Sequence, residues 1–359
     1  MGNIKTKELS KLGYTDNVAR SIAMELVAKH CKHKSQDEIV TVLQEIRSYP
    51  ERFKIDEVWG KLAEVLATTE DVVIPYAVGK DIGCRMSLTI LDAEADYLEK
   101  YHDRAVEALI NNTAFGLDGI LPFKSYHPLF DRAEFRDIPI LKKLREKAVR
   151  QLGSSGKGNH FVDLCEVELP SNNQVGIREG RYVGILSHSG SRGLGASIAD
   201  YYTEIAKETC RLPRQAGPFA WLSLKSEAGQ EYWKCMEIAG EYSAVNHECI
   251  HYNVAKALRL KPLASVSNHH NFAWRDVLPD GTKVIIHRKG ATPAHLGELG
   301  IIPGSMATAG YIVSGKGCDE SLCSASHGAG RVMSRLDARN TVSRYKETSC
   351  LLAKLGIFR

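Results

Sequence analysis

Val72-Val73-Ile74-Pro75-Tyr76-Ala77-Val78 is where the character of the chain changes. This run of apolar and β-branched residues predicts a buried strand, with Met86 to Leu91 as its neighbour. Upstream, residues 1–70 read as helical. Ser35-Gln-Asp-Glu38 is a capping box, Ile39, Val40, Leu43 and Ile46 follow at helical spacing, and Pro50 stops the run. Val18, Ile22, Leu26 and Val27 form an earlier packing stripe. Downstream, Asp96 to Asn111 reads as a helix and Tyr182 to Leu186 as a strand ending in a glycine loop. About Ser226 to Leu258 reads as one long helix. No repeat, low-complexity tract or linker divides the rest. The expectation is an α+β fold, with a helical region over 1–70 and one body of short strands and helices over 71–359.

A chain of 359 residues can bury a large core without disulfides or structural metal. Its net charge of +4 neither demands nor excludes a nucleic-acid partner, because binding depends on where charge sits. The N-terminus lacks an apolar signal segment, Gly2 is in a poor context for acylation, and no apolar run approaches the ~20 residues needed to span a bilayer. The nine cysteines are odd in number, irregularly spaced and without a CxxC pair. They read as reduced thiols, so a cytoplasmic protein with no membrane partner is expected.

Of thirteen histidines, only His30, His33, His102 and His127 precede residue 150. The later candidates sit in polar, glycine-rich loops at strand ends: His160, His188, the pair His269-His270, His287 and His327. Asp81-Ile-Gly-Cys84 offers a carboxylate and a thiol, and with the imidazoles these are ligand types for a first-row metal. The loop His188-Ser-Gly-Ser-Arg-Gly-Leu-Gly195 runs into a helix, so its backbone N–H groups and Arg192 suit a phosphate. Arg288, Lys289, Arg331 and Arg335 suit polyphosphate or an RNA backbone. The inventory fits two-metal phosphoryl or nucleotidyl transfer. His327 is the candidate nucleophile, because Gly328 and Gly330 permit close approach of a phosphate beside Arg331. The same residues would suit a binuclear metallo-phosphoesterase.

Seven motifs in order carry a family resemblance. They are Gly79-Lys-Asp-Ile-Gly-Cys84, Gly158-Asn-His-Phe161, His188-Ser-Gly-Ser-Arg-Gly193, His270-Asn271, His287-Arg-Lys-Gly-Ala-Thr292, Pro303-Gly-Ser-Met306 and Ser326-His-Gly-Ala-Gly-Arg331. Over roughly residues 70–335 the chain resembles the RtcB family of RNA-splicing ligases, which implies an RtcB-like catalytic domain over 71–359. The resemblance implies an RNA ligase that joins a 2′,3′-cyclic phosphate or 3′-phosphate end to a 5′-hydroxyl end in RNA splicing or repair. It also implies GTP and two Mn²⁺ ions as cofactors, and leaves room for an activating partner protein. Cys84 would bridge the metals, with Asp81 and His160 on one and His188 and His270 on the other. His327 would carry GMP. Nucleotide contacts would come from Asn159, His160, Asp163, His270, Asn271, Pro303, Gly304, Ser305, Met306, His327, Gly328, Ala329, Gly330 and Arg331. Ligand softness alone favours Zn²⁺, so manganese follows from the resemblance.

The chain also departs from the family pattern. A Pro-Asp-x-His-x-Gly segment ahead of the Asp-x-x-Cys strand is missing, and Lys354 does not match the guanine-contacting terminal lysine. Lys80 replaces a small apolar residue, Gly310 a serine and Asp163 a glutamate. Guanine recognition and RNA docking are therefore expected to differ from the family, and a ligation-deficient paralogue that binds metal and RNA ends is the alternative these departures raise.

Overall fold

Pro75 decides what becomes of the run that opened the sequence reading. In the computed structural model only Val72–Val73 (β1) is a strand, paired with Leu222–Ser223 (β5), and Pro75–Val78 forms one turn of helix. The expected strand over 72–78 is thus cut short. Proline has no N–H for a ladder and its fixed φ suits the first helical position. Ile74 N–H leaves the sheet as well, donating to His287 Nε2 at 2.9 Å.

The structure describes residues 4–328 apart from 15–16, 49, 54–55, 63–70, 117, 123–125, 211, 213–214 and 305–307. The fold is α+β. Near the N-terminus, helices α1 (Thr6–Lys11), α2 (Asn17–His30) and α3 (Gln36–Ser48) enclose a small core of Leu9, Tyr14, Ile22, Val27, Leu43 and Ile46. The α3 cap is reciprocal: Ser35 N–H donates to Glu38 Oε2 at 2.7 Å, and Glu38 N–H to Ser35 Oγ at 3.4 Å. The helix expected over 96–111 is broken at Tyr101 into a turn, Tyr97–Lys100, and a longer helix, His102–Asn112 (α5, counting Pro75–Val78 as α4). Three more helices matter to the site: α6 (Pro139–Gln151), α7 (Arg192–Thr209) and α8 (Glu227–Leu258).

The site is positioned by an antiparallel sheet in the order β3-β4-β2-β6, where β2 is Arg85–Glu94, β3 Phe161–Leu169, β4 Gly180–Ser189 and β6 Pro262–His269. One face carries Val162, Leu164, Val183 and Ile185 against Ile250, Val254 and Leu258 of α8. The other carries Met86, Leu88, Ile90 and Val266 against Ile301, on β10 (Leu299–Ile302), which pairs with β11 (Tyr311–Ser314). The register fixes what meets at one end of the sheet. Met86 lies opposite both His188 and Asn268, and His188 lies opposite Phe161. Because β2 and β3 start at that end while β4 and β6 finish there, residues 84, 160, 188 and 270 converge on it. Two further antiparallel pairs are the hairpin of β7 (Asn271–Val277) with β8 (Lys283–Lys289), and β9 (Ala291–Pro293) with the distant β12 (Ser324–Ser326). Among the described residues no helix is long and apolar enough to cross a membrane.

Candidate metal centre and its histidine arm

The turn Asp81–Cys84 is pinned from below before it offers any ligand. Gly83 N–H donates to Asn271 O at 2.7 Å, and His270 N–H donates to Cys84 O at 2.9 Å. Gly83 has a φ of 71° and its missing Cβ faces Gly240 at 2.8 Å, so only glycine fits this turn against α8. Asp81 packs so close to Gly190 that a Cβ there would lie within 2.0 Å of its carboxylate.

Five side chains meet here in a row. Asp81 Oδ2 lies 2.8 Å from His160 Nε2, His160 Nε2 3.5 Å from Cys84 Sγ, and Cys84 Sγ 3.2 Å from His188 Nε2. His188 Nε2 is 3.2 Å from His270 Nε2. His188 Nδ1 donates to Asn159 O at 2.9 Å, which fixes the proton there and leaves the Nε2 lone pair aimed at Cys84 and His270. His160 Nδ1 and His270 Nδ1 are buried without a partner among the described residues. Lone pairs and a thiol crowded together in this way fit a cation. Cys84, His160 and His188 form one group with metal-binding spacing, and His188, His270 and His327 form a second.

Burial keeps the His188, His270 and His327 imidazoles neutral. Burial, helped by neighbouring His160 and His327, holds His188 down at about 3, and burial holds His327 at about 4. His270 is pushed down by burial and then by His327 and His188. Burial and the Asp81 charge push the Cys84 thiol up. Burial also works against ionisation of Asp81, but the hydrogen bond and charge of His160 outweigh it and hold the carboxyl below the usual range. A cation would reverse the thiol's preference, since a coordinating thiol is deprotonated.

His327 arrives on a separate arm. Its N–H donates to Gly290 O at 3.1 Å, and its ring stacks on His270 with centroids 3.4 Å apart and planes 12° apart. Its Nδ1 is buried without a partner among the described residues. Arg288 holds this arm: it is 2% exposed, donates from Nε to Ser324 Oγ at 2.8 Å and from Nη2 to Leu322 O at 2.9 Å, and lies over the Trp274 ring. The expected phosphate-contacting arginine is therefore a brace for β12.

The remaining candidates fall elsewhere. His269 alternates away from His270, stacking on Phe272 and Trp274 and meeting Arg85 Nη2 at 3.0 Å. His287 accepts the Ile74 N–H, away from the five ligands. The glycine loop is not an open phosphate cradle, since Ser191 N–H donates to Asp81 Oδ1 and Gly193 N–H to Gln151 Oε1. Arg192 donates to Ser154 Oγ and Gly116 O. The Asn271 amide is engaged at both ends, donating to Asp81 O and accepting from Gly290 N–H. Asp163 lies on β3 opposite Leu186, its carboxyl raised by burial to about 7. Pro303 and Gly304 follow β10, with no hydrogen bond to the histidines among the described residues. Gly328 follows His327 directly, its carbonyl accepting from Ser326 Oγ. Ser305, Met306, Ala329, Gly330, Arg331 and Arg335 lie outside the described residues.

The sequence reading missed Asn246. Fully buried on α8, it accepts Gly153 N–H and donates to Ser154 O and Ser189 Oγ, tying the His160 loop to the end of β4. Its signal was a polar residue on the apolar face of a long helix, one position before the buried His247.

A family model described as tRNA-splicing ligase RtcB matches residues 131–356. The chain is 30% identical to the RNA-splicing ligase RtcB1 of Escherichia coli over 305 residues, covering 77% of this chain and 71% of that protein. It is 31% identical to the tRNA-splicing ligase RtcB of Nanoarchaeum equitans, covering 79% and 64%. With the corresponding protein of Thermococcus kodakarensis the identity is 28%, covering 74% and 68%.

Proposed function

The chain belongs to the RtcB family of RNA-splicing ligases and is an RNA ligase. On that premise we propose that it joins 2′,3′-cyclic phosphate or 3′-phosphate RNA ends to 5′-hydroxyl ends with GTP and two Mn²⁺ ions, through GMP carried on His327. The observation that supports this most is the row Asp81, His160, Cys84, His188, His270 ending against the stacked His327 ring. Cys84 would stand between the two ions, with Asp81 and His160 on one side and His188 and His270 on the other. Two bound Mn²⁺ ions would neutralise phosphate charge at this position.

The chain's own residues supply the rest. Burial keeps the His327 imidazole unprotonated near neutral pH, so its lone pair is free for an α-phosphate. Attack forms an N–P bond and breaks the bond to the β-phosphate, releasing pyrophosphate. Water first opens a cyclic end to the 3′-phosphate; that 3′-phosphate then takes GMP from His327, and the 5′-hydroxyl displaces GMP as the phosphodiester forms. The stack on His270 fixes the ring plane during both transfers. Asp163, buried on β3, would accept the N–H groups of guanine as the carboxylate, the form it takes above about pH 7. Asn159, Pro303, Gly304 and Gly328, with Ser305, Met306, Ala329, Gly330 and Arg331, remain the proposed nucleotide contacts.

Incubation with Mn²⁺ and α-labelled GTP should give an acid-labile label that His327→Gln abolishes. A label that persists in that variant would sink the assignment. A second reading has one observation in its favour, the metal-binding spacing of His188, His270 and His327. There His327 is a ligand in a binuclear phosphoesterase, and turnover of a cyclic phosphate without any nucleotide would identify it.

A further inference from the structure

Beside the centre lies a surface that no step above uses. Tyr76, on α4, is 41% exposed and meets Phe219, 55% exposed, with ring centroids 5.8 Å apart and planes at 84°. Lys289 lies over Tyr76, its Nζ 3.8 Å from the ring centroid and 3.2 Å from Tyr76 O. The Lys289 stem runs across Gly79, within 3.5 Å of where a Cβ would be. A cavity of about 170 Å³ opens next to Tyr76 between Gly79, Lys80, Asp200 and Pro218.

Two chain segments join this surface to the centre. Gly79 is two residues before Asp81, and Lys289 directly precedes Gly290, whose carbonyl holds His327 N–H and whose N–H donates to His270 O at 2.7 Å. Charge separates the lysines. Lys80 is paired with Asp200 at 2.7 Å and Lys207 with Glu204 at 2.7 Å. Lys289 has no carboxylate partner among the described residues, its cation covers one face of the Tyr76 ring, and Phe219 is the more exposed of the two rings.

We infer that Phe219, Tyr76 and Lys289 form a stacking platform for a nucleobase of single-stranded RNA entering the centre. This rests on the RNA-ligase reading and names where that substrate docks. An exposed aromatic ring beside a cation without a carboxylate partner is the combination that holds single strands without sequence preference: the ring takes a base and the ammonium takes the neighbouring phosphate. The right-angled pair forms a corner that stacks a base on one ring and stops it against the other. Arg288 points inward to brace β12 while Lys289 points outward, so of the two adjacent cations only Lys289 can meet the RNA backbone.

The test uses the full chain and a short single-stranded RNA carrying a 3′-phosphate and an internal 2-aminopurine. Phe219→Ala should weaken binding about 5- to 150-fold, the range for losing one base–aromatic stack. Phe219→Leu, which keeps apolar bulk, should lose the 2-aminopurine quenching, and Phe219→Trp should retain it. Lys289→Gln should lower the slope of log affinity against log salt by about 0.7. GMP labelling of His327 should stay at the parent level in Phe219→Ala. If the parent binds this RNA and Phe219→Ala binds it equally, the platform is wrong while the RNA reading stands. Parent protein that binds no single-stranded RNA overturns both. Retained quenching in Phe219→Leu, or GMP labelling lost in Phe219→Ala, would make Phe219 a structural residue and overturn the platform.

Discussion

Two sets of buried histidines differ in what their ring nitrogens face. In the interior, His251 meets Ser187 Oγ at 2.6 Å and Thr89 Oγ1 at 2.7 Å, and His247 meets the same Ser187 Oγ at 2.6 Å. His269 faces Arg85, and His287 takes the Ile74 N–H. At the sheet end, His160, His188 and His270 turn Nε2 towards a thiol, a carboxylate or one another, and His270 and His327 stack ring on ring. Burial lowers the pKa in both sets, so a depressed pKa does not tell ligand from scaffold. The partners do: ring nitrogens of the first set meet hydroxyls, a guanidinium or a backbone N–H, whereas Nε2 of His160, His188 and His270 meets a thiol, a carboxylate or another imidazole, the donor types of a cation site.

The largest effect should come from the member of the second set with a proposed covalent role. His327→Gln should lower GMP labelling and ligation by about 10³-fold or more, because a nucleophile has no substitute in its site. Bound metal, measured by elemental analysis, should remain if His327 is a nucleophile. Metal lost in proportion to activity would instead move it among the ligands. Next, Cys84→Ser should weaken metal binding by more than about 100-fold, since even residues behind a ligand are worth 10–100-fold. Equal metal occupancy in Cys84→Ser and His287→Ala would erase the distinction between the sets.

A third effect is pH-dependent and concerns Asp163, a buried carboxyl with the opposite problem. Its folded pKa is about 7 against an ordinary 3.8, raised by burial. Between those values the folded state holds a proton that the unfolded state releases, so stability falls as pH rises from about 4 to 7. Asp163→Asn should remove that slope and gain about 2 kcal/mol relative to the parent at pH 8 over pH 5. Denaturant midpoints that run parallel across that range would show the carboxyl has a partner.

Much of the site was legible because spacing in the sequence coincided with strand ends. Asp81, Cys84, His160, His188 and His270 each flank or end a strand of one antiparallel sheet, so a polar, glycine-rich signal marked each of them. Strand alternation was the part that could not be read locally: of the adjacent pair His269-His270, and of Arg288-Lys289, one member of each turns inward, and only the pairing partners decide which. The 72–78 run misled for a related reason. Its apolar content fitted a strand, while Pro75 and a distant acceptor, His287 Nε2, determined the backbone. Phe219 carried no signal, since its meaning lies in Tyr76, far away in the chain.

The smallest effect tests the first set most cleanly. His287 is neutral, held by burial down at about 4, so its Nε2 lone pair is available to the Ile74 N–H throughout the neutral range. That N–H lies where β1 has ended and α4 has not yet closed its first turn, so neither element offers it an acceptor. His287→Ala leaves it unpaired at a part-buried position and should cost about 1–2 kcal/mol of stability. His287→Gln, which offers a side-chain carbonyl, should recover part of that loss. Neither variant should change bound metal, because His287 reaches the centre only through the backbone of the segment it anchors. Metal lost in His287→Ala but restored in His287→Gln would mean that Ile74 sets the geometry of Asp81 through α4. The scaffold histidine would then belong to the centre after all.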